Sequence, residues 1–166
     1  MIAAHIRTAA PVTASLDDLI DDLNSLMAEE AEASLRYFQM RFRVRGRGRQ
    51  EAEHFFEEAL KETLDHANEV AAQIKALGRI PKLRVQLALE GSPIQAADAL
   101  AEALDVEQQA LTAYEDFLPR TAGHPELEAF IARQVATETE HVRELRRLLD
   151  ATSNLTLLKR ASSEGA

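Results

Sequence analysis

Residues 78–91 read GRIPKLRVQLALEG, and the length of this stretch decides the fold. It is far longer than a tight turn, and it is framed by Gly78 and Gly91 with Pro81 near its start. A helix from about Gln50 to Leu77 should stop at Gly78, because a left-handed residue after the last turn favours glycine and a following proline cannot continue the helix. On the far side, Ser92-Pro93-Ile94-Gln95 should open a third helix, with Ser92 as cap, Pro93 at the first helical position and Gln95 completing a capping box. Pro119 should end it. Working outward, a first helix should start after Ser15 and fade at Arg45-Gly46-Arg47-Gly48. A fourth should begin at Pro125 and end near Leu149. The first-to-second and third-to-fourth links are short, so those pairs should form antiparallel hairpins. The 78–91 link can run the length of the bundle and leave helices two and three parallel. The expected fold is therefore all-α, a four-helix bundle with one long crossover between helices two and three.

Composition agrees with that class. The 166 residues are 46% hydrophobic but only 5% aromatic, with six glycines and no tryptophan. This suits one helical domain rich in Ala, Leu and Glu. The expected organisation is a flexible extension over residues 1–14, the bundle over 15–150 and a short tail over 151–166. A net charge of −9 argues against nucleic acid as a partner. The absence of cysteine excludes disulfides and thiolate metal sites, so any metal must be held by His, Asp and Glu. No run approaches the ~18 apolar residues of a membrane span, so no membrane partner is expected. The N-terminal MIAAHIRTAAPVTAS is broken by His5, Arg7 and Pro11 before a signal-peptide core can form, and the cytoplasm is the expected compartment.

Counting along each helix exposes the informative anomaly. Leu16, Ile20, Leu23, Met27, Glu30, Ser34 and Tyr37 follow alternating steps of four and three. Phe56, Ala59, Thr63, His66, Val70 and Leu77 lie along one stripe of the second helix. The third offers Ala97, Leu100, Leu104, Glu107, Leu111, Tyr114 and Leu118, and the fourth Leu127, Ile131, Gln134, Glu138, His141, Leu145 and Leu148. Such spacing keeps one stripe facing partner helices. Glu30, Thr63, His66, Glu107, Glu138 and His141 occupy that stripe near each helix's middle, so they should meet at one depth in the core. Buried carboxylates and imidazoles persist only when paired, protonated or bound to metal. Three carboxylates that close raise at least one pKa unless a cation neutralises them. Oxygen and imidazole donors suit iron, manganese or zinc, and ligand type alone does not choose among these.

Spacing also repeats. Glu30 and Tyr37 stand seven apart, as do Glu107 and Tyr114. The tyrosines fit either hydrogen-bond donors beside a metal site or plain core residues. Glu138-x-x-His141 on the fourth helix has its counterpart in Thr63-x-x-His66 on the second, with a hydroxyl where the repeat asks for a carboxylate. Glu62 either swings in to compensate or stays a solvated acid. Glu51-Ala-Glu-His54 has the same spacing but sits at the helix start, off the stripe, and reads as solvated.

At this point the chain resembles the ferritin-like superfamily, and bacterioferritin within it. LNSLMAEEAEASLRYF (Leu23 to Phe38) resembles that family's first-helix motif, Leu64-Asp65-His66-Ala67 the end of its Glu-Met-x-His-Ala motif, and Ala76 to Leu83 its lead into the long crossover. The resemblance covers roughly residues 16–150. It implies a ferritin-like bundle, with Glu30 and His66 on one iron, Glu107 and His141 on the other, and Glu138 bridging. The family's second bridging carboxylate falls on Thr63, so the site is one ligand short. Its haem-ligating methionine falls on Leu64, so haem is not expected there. The resemblance implies a subunit that oxidises Fe(II) with oxygen and stores iron, a ferroxidase impaired by Thr63. It also implies assembly into a homo-oligomeric shell or a mixed shell with a related subunit. The alternative is a ferroxidase-poor subunit of a mixed or structural shell. A starvation-type protector coating DNA ranks last, because that family builds its iron site between subunits. Arg41, Arg43, Arg45, Arg47 and Arg49 form either a partner contact or a solvated basic loop.

Overall fold

The computed structural model describes residues 14–89 and 91–163, with side chains described through Thr152. Residues 1–13, most of the expected N-terminal extension, lie outside the described residues. Four helices form: α1 (Leu16–Arg43), α2 (Arg49–Ala76), α3 (Ala96–Phe117) and α4 (Pro125–Ser163). Two-residue strands β1 (Val44–Arg45) and β2 (Ile94–Gln95) and a 3-10 turn (Leu118–Thr121) complete the order.

The helix ends follow local chemistry. Ser15 Oγ accepts the Asp18 N–H at 3.2 Å, and the Asp18 carboxylate accepts the Ser15 N–H, so α1 starts on a reciprocal cap. After α2 the chain turns through Gly78 at φ +75°. Gly78 N–H donates to Lys75 O and Arg79 N–H to Ile74 O, which satisfies two of the helix's last carbonyls.

The crossover lies along α1. Lys82 N–H donates to Asn24 Oδ1 at 2.7 Å, Gln86 N–H to Glu32 Oε1 at 2.8 Å, and Arg43 Nε to Ser92 O at 2.7 Å. Contacts thus advance up α1 as the chain advances, ending in the parallel pairing of Val44 with Ile94 and Arg45 with Gln95. This carries the chain from one end of the bundle to the other and makes α2 and α3 parallel, as the length of 78–91 implies.

That pairing also moves the start of α3. Ile94 and Gln95 are extended and spent on the ladder, so α3 begins at Ala96 and its cap residue Gln95 makes no side-chain cap bond. The capping box expected from Ser92 and Gln95 does not form. The expected end of α4 near Leu149 is likewise corrected, because the helix runs on to Ser163. No glycine or proline interrupts residues 150–163, and Thr152 is buried against the first hairpin. At that contact Gly48 has φ +76°, and a Cβ there would lie 3.0 Å from Thr152 Cγ2. Gly48→Ala should therefore destabilise the bundle by about 1–2 kcal/mol, the cost of a left-handed non-glycine residue, read by denaturant unfolding.

The apolar core falls into two clusters. One gathers Leu19, Leu23, Val70, Ile74, Phe130 and Ile131. The other gathers Tyr37, Phe56, Ala99, Leu100, Ala103 and Leu145. Between them lies a buried polar layer of Glu30, Thr63, Glu107 and Glu138. Among the described residues no helix is long and apolar enough to cross a membrane.

Candidate metal centre

Each helix contributes to the polar layer from near its middle. Glu30 comes from α1, Thr63 and His66 from α2, Glu107 from α3, and Glu138 and His141 from α4. Glu138, only 1% exposed, is the hub. Its Oε1 lies 3.1 Å from His66 Nδ1 and its Oε2 3.3 Å from His141 Nδ1. Glu30 Oε1 is 3.7 Å from the same His66 nitrogen, and Glu107 Oε2 is 3.3 Å from that of His141. The two imidazoles stack with centroids 5.7 Å apart and planes 12° from parallel. The result is two groups able to hold a metal ion, Glu30–His66–Glu138 and Glu107–Glu138–His141, with ligand atoms within 4.8 Å of one another in each.

The tyrosines cross over. Because α1 and α3 run antiparallel, each tyrosine, seven residues after its own helix's glutamate, arrives opposite the other helix's glutamate. Tyr114 Oη donates to Glu30 Oε1 at 2.7 Å, and Tyr37 Oη makes a short bond to Glu107 Oε1. Both hydroxyls are buried, and burial beside those carboxylates holds them well above the usual tyrosine pKa. They stay neutral donors and fix which carboxylate oxygens remain free.

Titration in the layer is collective. Burial alone would push the His66 imidazole down, but Glu138 and Glu30 overcome it and raise it to about 10. His141 is likewise opposed by burial and raised to about 10 by Glu107 and Glu138. Glu138, despite burial, is held down at about 2 by hydrogen bonds from both histidines. Burial raises Glu30 and Glu107, and the Glu138 charge adds to both shifts. Without metal, imidazolium protons thus stand where cations would.

A pH dependence follows with a definite sign. Raised histidines stabilise the metal-free fold fully below the unfolded value of ~6.5, and that contribution is lost as pH rises through about 10. The depressed Glu138 contributes above ~4.5 and loses its contribution as pH falls through about 2. Metal-free protein should therefore melt progressively lower between pH 7 and 10, seen by thermal scans. Metal binding at pH 7 should release about two protons, one per imidazole, and tighten as pH rises, measurable by calorimetry in buffers of different ionisation enthalpy.

Thr63 joins the layer without facing it chemically. It is buried, yet its hydroxyl donates to Ala59 O at 2.5 Å, back into its own helix. Glu62 stays largely exposed, with Oε2 3.5 Å from His141 Nε2, on the far edge of the ring from the other carboxylates. His54 is exposed and pairs with Glu58, away from the layer. Leu64 is half exposed on the surface. In the basic hairpin, Arg41 pairs with Glu57 and Arg49 with Glu53, while Arg43 holds the crossover. Sequence reasoning missed Arg36 and Glu29, which lie off the apolar stripe and line a cavity reaching Glu30, Thr63 and Glu107. No periodic signal marks such off-stripe positions.

The sequence matches the ferritin-like domain across residues 20–155, and the chain belongs to that family. A ferritin-like diiron-carboxylate protein from Bacillus anthracis str. Ames is 30% identical, with 82% of this chain and 99% of that one covered at a TM-score of 0.72. A dodecameric thioferritin from Bacteroides fragilis, described as bacterioferritin-related, is 24% identical over 90% of this chain and 92% of its own, at a TM-score of 0.77. Dps from Staphylococcus aureus shares the fold at 17% identity and a TM-score of 0.74, covering 81% of this chain and 97% of its own. Among curated proteins, none matches the chain.

Proposed function

We propose that this protein is an iron-handling subunit of bacterioferritin type, which oxidises Fe(II) with oxygen at a di-metal site within one chain and stores the product as ferric mineral. The observation that carries this reading is Glu138, which offers one carboxylate oxygen to each of two ligand groups closed inside a single subunit. In this reading Glu30 and His66 would hold one ion and Glu107 and His141 the other, with Glu138 shared between them. The donors also suit manganese or zinc. The description of the Bacillus anthracis relative as a diiron-carboxylate protein favours iron.

Two Fe(II) ions held by these residues would supply the two electrons that, with two protons, reduce O2 to hydrogen peroxide. The chain's own residues do the rest. Tyr37 and Tyr114 hold Glu107 and Glu30 in place, and the apolar clusters cover the ligand layer above and below along the bundle axis. Leu64 offers no lone pair, so the reading includes no haem at that position. Assembly into a shell of identical subunits, or a mixed shell with a related subunit, belongs to the same proposal and is supported by the dodecameric Bacteroides fragilis protein.

Thr63 favours a second reading, a ferroxidase-poor subunit of a mixed or structural shell, because its hydroxyl is bonded into its own helix. Oxygen uptake on Fe(II) addition at pH 7 separates the two. The first reading expects uptake well above protein-free autoxidation, lost in His141→Ala. Uptake equal to autoxidation would leave the second reading standing.

A further inference from the structure

We infer that a small monoanionic oxyanion from solution, a carboxylate or bicarbonate, occupies the gap at Thr63 and serves as the bridging ligand the chain does not supply. This rests on the di-metal reading above, and three observations carry it.

The first is charge. Two divalent ions bring four positive charges, and Glu30, Glu107 and Glu138 return three negative ones. The imidazoles bind neutral, the tyrosines are neutral donors, and the Thr63 hydroxyl is committed to Ala59 O. One positive charge remains in a layer that is almost fully buried, where uncompensated charge is costly. One monoanion would close the balance.

The second is space. A cavity of about 420 Å³ is lined by Glu30, Thr63, Glu107 and Tyr114, and so reaches the layer itself. A smaller one, about 50 Å³, is lined by Thr63, Glu107 and His141, with the carboxylates of Glu58, Glu62 and Glu144 also on its wall, so it disfavours an anion until cations are bound. Both spaces meet Thr63. The larger far exceeds the ~30 Å³ a water takes up in the liquid, so a carboxylate fits.

The third is the lining. Arg36 is exposed, lines the larger cavity and has no ion-pair partner among the described residues. Glu29 and Glu32 line it too, so the lining disfavours an anion until cations are bound below. Anion and metal should therefore bind cooperatively, and the coupling must be reciprocal.

The test uses Co(II) as probe metal and formate, then bicarbonate, as probe anions, with Co(II) absorption and calorimetry as readouts. For wild type loaded with two Co(II) per chain, formate should change the absorption saturably and tighten the weaker Co(II) by about 10-fold. Thr63→Val keeps the size of the side chain and should retain both responses. Thr63→Glu fills the gap with its own carboxylate and should lose them. Arg36→Gln should weaken formate about threefold while leaving Co(II) affinity without formate unchanged. Two bound Co(II) with no response to either anion would overturn the inference and leave the di-metal reading intact, as would an undiminished response in Thr63→Glu. Fewer than two Co(II) in wild type and Thr63→Glu alike, at any formate concentration, would overturn both.

Discussion

Glu138→Ala is expected to weaken divalent metal binding at both positions at once, by at least ~100-fold each, since even an outer partner of a metal ligand contributes 10–100-fold. The reason is sharing: one carboxylate faces His66 through Oε1 and His141 through Oε2. Glu30→Ala should strike only the His66 side and Glu107→Ala only the His141 side, because each of those carboxylates belongs to one group. A calorimetric titration with Co(II) distinguishes the patterns. If Glu138→Ala still binds one ion as tightly as wild type, the shared-ligand geometry is wrong. The metal-free protein should suffer as well. Glu138 is the carboxylate held ionised between two imidazoles that its presence helps to charge. Removing it leaves those buried groups without their common partner, a loss of about 3 kcal/mol. For a chain of this size that is a fall in Tm of about 6–12 °C.

How far the fold could be read depends on which signal each element carries. The four stripes and the long link are properties of spacing, and spacing survives folding. The polar layer was legible for the same reason: Glu30, Glu107 and Glu138 interrupt stripes that are otherwise apolar, and burying them demands a cause. The crossed tyrosine bonds were only half legible. The seven-residue repeat shows that each tyrosine belongs near a glutamate, but the choice of glutamate needs the antiparallel register of α1 and α3. The buried face of α3 was misjudged in detail. Ala99 and Ala103 are fully buried while Leu104 and Leu111 are only partly so. Small residues let neighbouring helices approach, which no hydrophobicity count weighs correctly. The start of α3 and the end of α4 were missed for a related reason. Ile94-Gln95 is claimed by a strand pairing with Val44-Arg45, and Thr152 is buried against Gly48. Both are tertiary contacts that override local capping signals.

Thr63→Glu should act in opposite directions on the empty and the loaded protein. In the empty protein a fourth carboxylate joins Glu30 and Glu107, whose pKa values burial already raises. The new group's folded pKa is therefore raised too, which costs stability as pH climbs through the carboxylate range and leaves no penalty below ~4. At pH 7 a loss on the order of 1–3 kcal/mol is expected, read as a lower Tm in the presence of chelator. With two divalent ions bound, and no carboxylate or bicarbonate in the buffer to fill the gap, the sign reverses. The same carboxylate supplies the negative charge the buried layer lacks, and metal-loaded Thr63→Glu should melt above metal-loaded wild type. Iron-dependent oxygen uptake should rise with it, because two ions held close are what two-electron reduction of oxygen requires. The cavity beside Thr63 gives the longer side chain room, so the substitution need not displace Tyr114 or Ala33. Two results would count against this reasoning. Equal oxygen uptake by wild type and Thr63→Glu in buffer free of carboxylate and bicarbonate would mean that the hydroxyl does not impair the centre, and equal metal-free stability would mean that the new carboxylate is not buried in the layer.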